Sequence, residues 1–85
     1  MLRKIVFSQH ALEQMKERGA SKEDVEIAIG GGEKSEAKKG RKSFRYNFQY
    51  NKKWANRYFA IKQVMPIVLE HGQECIVITV YVFYF

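Results

Sequence analysis

Eighty-five residues, 46% hydrophobic and 28% charged, describe a single globular domain over residues 1–85 and exclude a two-domain enzyme, a disordered chain or a fibre. No apolar run approaches the roughly 20 residues of a transmembrane helix and no secretory core follows the N-terminus, so a cytoplasmic protein without membrane contact is expected. The lone Cys75 excludes an internal disulfide, and a formal charge of +6 points to an anionic partner.

Residues 3 to 7 read as a short strand carried by Ile5, Val6 and Phe7. Ser8 is placed to cap a helix, because its hydroxyl can accept from a free amide of the first turn. Ala11, Leu12 and Met15 then share one helical face until Gly19 stops it. Ser21 begins a second helix, with Glu23 and Asp24 at the positive end of its dipole and Val25, Ala28 and Ile29 as its buried stripe; Gly30-Gly31-Gly32 ends it. Residues 33 to 43 lack periodicity and read as a mobile loop.

From Phe44 the period becomes two, with Phe44, Tyr46, Phe48 and Tyr50 on one face and Arg45, Asn47 and Gln49 on the other. Asn51-Lys52-Lys53 is read as the hairpin loop into a second strand, where Ala55, Phe59 and Ile61 alternate with Tyr58, Ala60 and Lys62. Pro66 removes a ladder donor and predicts a bend or a sheet edge; His71-Gly72 supplies the next turn. Residues 75 to 85 carry no charge, which predicts a central strand with Ile76, Ile78, Val80 and Val82 on one face and Val77, Thr79, Tyr81 and Phe83 on the other. The whole reads as α+β: an N-terminal strand and a two-helix hairpin packed on one face of a twisted antiparallel sheet of about four strands.

The charge is concentrated. Residues 34 to 62 hold ten Lys/Arg against Glu36 alone, whereas residues 1 to 33 balance to minus 1 and residues 63 to 85 to minus 2. Within the basic segment Tyr46, Tyr50, Trp54 and Tyr58 are interleaved with Lys42, Arg45, Lys52, Lys53 and Arg57. Cations neutralise phosphates and exposed rings stack on unpaired bases, so RNA or another polyanion is the expected partner. An acidic protein would use the same patch, and the plain alternative is a strand core flanked by solubilising lysines.

His10, near the start of the first helix, is suited to proton transfer near neutral pH, and Arg18, at its end, to holding a phosphate through paired hydrogen bonds; a purely structural role for each stands beside these readings. His71 and Cys75 lack a third ligand, and the triple glycine lacks the Gly-Lys-Ser/Thr ending of a phosphate loop. No metal and no cofactor is expected.

The stretch Ser8-Gln9-His10-Ala11-Leu12-Glu13-Gln14-Met15-Lys16-Glu17-Arg18-Gly19-Ala20-Ser21, followed by Val25 and closed by Val77-Ile78-Thr79-Val80-Tyr81, resembles the prokaryotic family called domain of unknown function 4258. Gln14 stands where that family commonly has Arg, and Ala20 where it has Ile. The family is in turn similar in size and element order to RelE-type toxins of toxin–antitoxin pairs, which cut RNA without a metal. That resemblance implies a site on the sheet face away from the helices. For a ribonuclease of this kind, His10 or Tyr81 is expected to act as acid or base and Arg18 to hold the phosphate. Lys42, Arg45, Arg57 and Lys62 are the further RNA or phosphate contacts, and Thr79 orients the substrate or Tyr81. An antitoxin-like protein is then a second partner. A non-catalytic binding module is the alternative, and a homodimer through the charge-free C-terminal strand is a third reading.

Overall fold

The computed structural model describes residues 4–85, so Arg3, the first residue of the predicted opening strand, lies outside the described residues. The elements are β1 (Lys4–Phe7), α1 (Gln9–Arg18), α2 (Lys22–Gly31), β2 (Glu33–Glu36), a 3-10 turn (Lys38–Gly40), β3 (Lys42–Trp54), β4 (Arg57–His71) and β5 (Glu74–Tyr84). All five strands form one sheet in the order β1-β5-β4-β3-β2. β1 runs parallel to β5 and every other pairing is antiparallel, so the sheet is mixed and has five strands, not an antiparallel four.

Both helices begin as their sequences dictate. Ser8 accepts from the Ala11 amide at 3.0 Å, and Ser21 and Asp24 satisfy each other's backbone amides in a capping box. Gly19 ends α1 in the left-handed region at φ 82°, and its amide donates to the Met15 carbonyl. Ala11 and Met15 of α1 and Val25 and Ala28 of α2 then pack on Phe44, Val64, Val68, Cys75, Val77 and Val80 of the sheet. The helices thus cover one sheet face and leave the other open.

Four features depart from the sequence reading. The mobile loop expected over residues 33 to 43 contains β2, whose Glu33, Lys34, Ser35 and Glu36 have little strand preference of their own and are held by pairing with residues 42 to 45 of β3. The hairpin turn falls at Ala55 and Asn56 (φ 52° and 67°), beyond the expected Asn51-Lys52-Lys53, which instead continue β3 past a bulge between Gln49 and Lys52. Two consecutive positive φ values give the turn whose twist matches its flanking strands.

Pro66 neither bends the chain nor marks an edge; it is buried inside β4, between β3 and β5. Ile61 and Phe85 exchange both backbone hydrogen bonds, so alternate residues of β4 bond to β5, and the nitrogen of Pro66 points towards β3. The β3–β4 pairing lapses there, between Ser43↔Ile67 and Tyr46↔Val64, and the missing donor is accommodated.

A second bulge lies in β5, where Val68 pairs with Val77 and Ile67 with Thr79, leaving Ile78 without a counterpart. The extra residue reverses the alternation. Val77 therefore joins Val80 and Val82 beneath the helices, in place of the predicted Ile76, Ile78, Val80, Val82 face, while Thr79, Tyr81 and Phe83 fall on the open face. β5 is central only over Glu74–Val77; beyond Val77, among the described residues, no strand flanks its outer side.

Candidate nucleic-acid interface

Four of the ten cations in residues 34 to 62 are neutralised. Lys34 lies 3.6 Å from Glu70, Lys42 pairs with Glu36, Arg45 with Glu33, and Lys62 with Asp24 at 2.9 Å. The other six form no ion pair among the described residues and divide into two groups. Lys38, Lys39 and Arg41 surround the turn before β3, and Lys52, Lys53 and Arg57 surround the tip of the β3–β4 hairpin. Most of the length of β3 separates them.

Lys62 belongs to the helix side. Its ammonium also donates to the Gly19 carbonyl at 3.0 Å and lies 5.6 Å from the Tyr50 ring centroid; its side chain is 12% exposed. Burial raises the Asp24 carboxyl pKa, but hydrogen bonds from Lys62 and Ser21 and the charge of Lys62 outweigh this and hold it below its ordinary value. Lys62 is a strut between β4 and the helical hairpin, and its position separates it from Arg45, Thr79 and Tyr81, which face the other way.

Tyr84 completes the same corner. It donates to the Arg18 carbonyl at 2.7 Å and stacks on Trp54 at 5.1 Å, with Tyr50 and Phe59 against its edges. Burial, with Tyr50 and Asp24 nearby, pushes its hydroxyl up to about 12.

The open face is laid out by the register. Tyr81 pairs with Met65 of β4, and the β3–β4 register that joins Ser43 to Ile67 and Tyr46 to Val64 brings Arg45 opposite Met65 on the other side. With strands ~4.8 Å apart, Arg45 and Tyr81 backbones sit roughly 10 Å from each other in one row. The neighbouring row is Asn47, Gln63 and Phe83, in which Gln63 donates to Asn47 at 2.8 Å. Thr79 occupies the row beyond Tyr81, paired with Ile67. Tyr81 and Phe83 stack at 6.3 Å with an interplanar angle of 15°, and each is 41% exposed. Two aromatic faces on one strand, with polar and basic side chains two strands away, can hold bases and backbone together.

The free edge of β5 is covered by α1. Ser8 donates through its hydroxyl to the Ile78 carbonyl, Gln14 accepts from the Val80 amide at 2.9 Å, and Arg18 donates to the Val80 carbonyl at 2.8 Å. Arg18 also reaches round the edge to lie 5.6 Å from the Tyr81 ring centroid. Of the three residues with expected catalytic roles, the structure brings Arg18 and Tyr81 together. His10 is exposed on α1 one turn before Gln14, on the stripe that continues to Arg18, and no described contact joins it to Tyr81. Arg57 lies at the hairpin tip, 5.6 Å from the Phe59 ring, and Lys42 at the opposite end of β3.

Sequence reasoning passed over Gln14 as a cation that was missing; it is instead a buried acceptor for the β5 edge. It also passed over Phe83 as a stacking partner and Asn47 and Gln63 as a polar row. The period-two pattern of β3 carried the Asn47 signal, and the alternation of β5 already set Phe83 beside Tyr81, opposite Val80 and Val82; the bulge altered the side of Val77. A family model described as Domain of unknown function (DUF4258) matches residues 7–82. No curated protein and no solved structure matches the chain.

Proposed function

The chain belongs to the DUF4258 family across residues 7–82, and from the open sheet face of this domain we propose that it binds single-stranded RNA. The observation that carries the reading is the arrangement of Arg18 on Tyr81 and Tyr81 on Phe83, facing Arg45 across the sheet. Rings at this exposure can stack on unpaired bases, while the Arg18 guanidinium at one side meets a phosphate and Arg45, whose pair with Glu33 is at the surface, exchanges that carboxylate for one. A duplex hides its base faces and would not use such a platform. Binding of a labelled oligouridylate should weaken with salt, with a log–log slope of about −0.7 per phosphate contact. A salt-independent affinity, or no binding, contradicts the reading.

Arg18 beside Tyr81, at the end of the α1 stripe that begins with His10, favours a second reading, a metal-independent endoribonuclease and toxin half of a cytoplasmic toxin–antitoxin pair, as the likeness to RelE-type toxins suggests. In that reaction the 2′-hydroxyl loses its proton to a base and attacks the adjacent phosphorus. The bond to the 5′-oxygen breaks, that oxygen takes a proton, and a 2′,3′-cyclic phosphate and a 5′-hydroxyl result. His10 or Tyr81 serves the proton transfers, and Arg18 and Arg45 balance the charge gathering on the phosphoryl oxygens. Cleavage in EDTA that His10→Ala or Arg45→Ala abolishes supports this version; intact RNA after prolonged incubation leaves the binding module.

A further inference from the structure

We infer that the bound RNA lies lengthwise along β3, from the Lys38, Lys39, Arg41 turn to the Lys52, Lys53, Arg57 hairpin tip, so that full affinity requires a strand long enough to touch both ends. The inference rests on the open-face reading above and adds the direction of the strand and its minimum length.

The six cations outside ion pairs are not one patch but two, at opposite ends of the exposed polar column of β3; at the hairpin tip Lys52 and Arg57 lie over the Tyr50 and Phe59 rings on the Tyr84 side, so a strand on the open face turns over the tip to meet them. Between them the open side of β3 presents Ser43, Arg45, Asn47 and Gln49, the last three exposed. A phosphate backbone following this column meets Asn47, Gln49 and Arg45, displacing Glu33 from the last, and reaches concentrated positive charge at the turn before β3 and over the hairpin tip. Its bases, on the side of β4 and β5, meet Met65 and then the stacked pair Tyr81 and Phe83. A strand laid across the sheet would instead touch Arg45 and Tyr81 and miss both basic ends.

The span sets a length. Arg41 and Lys52 are eleven positions apart, and at ~3.3 Å per residue this is roughly 35 Å, comparable with the 41 Å long axis of the molecule. A stacked strand advances about 3.4 Å per nucleotide, so about ten nucleotides connect the two groups. Shorter strands engage one end at a time. Once one end is held, the other binds intramolecularly, and affinity should climb by far more than the added contacts at the first end would give.

The test is a length series of labelled oligouridylates titrated against the full chain at low salt, comprising a tetramer, a hexamer, a dodecamer and a hexadecamer. The dodecamer should bind at least about tenfold more tightly than the hexamer, with little further gain for the hexadecamer. Replacing Lys38, Lys39 and Arg41 with Gln should bring the dodecamer down to the hexamer level while leaving hexamer affinity within about twofold, since the other end still serves it; Lys52→Gln, Lys53→Gln and Arg57→Gln together should do the same. A gradual rise with length and no step overturns the inference, and so does a triple variant that weakens hexamer and dodecamer equally; both leave the open-face reading standing. If no oligonucleotide binds, the RNA reading itself fails and this one with it. Should a triple variant not fold, the wild-type series alone decides.

Discussion

Arg18 lies with its guanidinium 5.6 Å from the centroid of the Tyr81 ring while its Nη1 donates to the Val80 carbonyl at 2.8 Å. A side chain from the helix layer thereby passes round the free edge of β5 and contributes to the opposite sheet face. The two contacts hold the guanidinium plane and leave its remaining N–H groups for a ligand. Arg18→Lys keeps the charge but loses the planar stack. RNA affinity should drop by about 3- to 10-fold with the salt slope unchanged, and Arg18→Ala should also lower the slope by about 0.7. Fluorescence anisotropy across a salt series reads both.

Gln14 is the buried counterpart of that contact, accepting from the Val80 amide at the same residue whose carbonyl Arg18 holds. Gln14→Leu keeps most of the volume and strands the amide. The expected cost is about 1–3 kcal/mol, seen as a lower urea midpoint with an unchanged m-value. An unchanged midpoint would mean that water serves this edge as well as the side chain does.

The Asp24–Lys62 pair ties α2 to β4 with side chains 20% and 12% exposed. Because the folded-state pKa of Asp24 lies below its ordinary value of 3.8, its contribution is complete above that pH and is lost as the pH falls through the folded value. Asp24→Asn should flatten that acid limb of the stability curve. Lys62→Met should cost about 2–4 kcal/mol at neutral pH, because it leaves the carboxylate partly buried without its cation. Urea denaturation from pH 2 to 7 checks both outcomes.

Gly19 carries two demands at once. Its φ of 82° disfavours any side chain, and a β-carbon there would stand 2.7 Å from the Tyr84 hydroxyl and 2.9 Å from the Trp54 ring. Gly19→Ala should destabilise by about 2 kcal/mol or more, a sum of backbone strain and displaced aromatics. Tyr84→Phe removes the hydrogen bond to Arg18 and should cost about 1 kcal/mol. With the Tyr84 hydroxyl raised to about 12 from 10.0, its stabilising share is full below pH 10 and fades between 10 and 12. A thermal melt series over that interval should show the fade in the wild type and not in Tyr84→Phe.

Local chemistry made the helical half legible: Ser8, Gly19 and the Ser21–Asp24 box act through neighbours a few residues away, and each is where the sequence places it. The core face of β3 was equally plain, because Phe44, Tyr46 and Phe48 alternate without interruption. The misses come from pairing at long range. β2 is a strand only because β3 lies beside it, and Pro66 is tolerated inside β4 because the β3 ladder lapses opposite its nitrogen. The bulge at Ile78 has no glycine or other local mark, yet it puts Val77 on the same side as Val80 and Val82. For the proposed site, charge density marked residues 34 to 62, but sequence could not show that Lys62 would be drawn to Asp24 or that the cations outside ion pairs would part to two ends.

The most direct measurement is the affinity of a labelled oligouridylate dodecamer for the wild type and for Tyr81→Ala/Phe83→Ala, with circular dichroism melts of both. At about 1–3 kcal/mol per stacked base, the double variant should bind at least tenfold more weakly while its melting temperature stays within a few degrees. Equal affinities for the two folded proteins would contradict an RNA platform on the open sheet face.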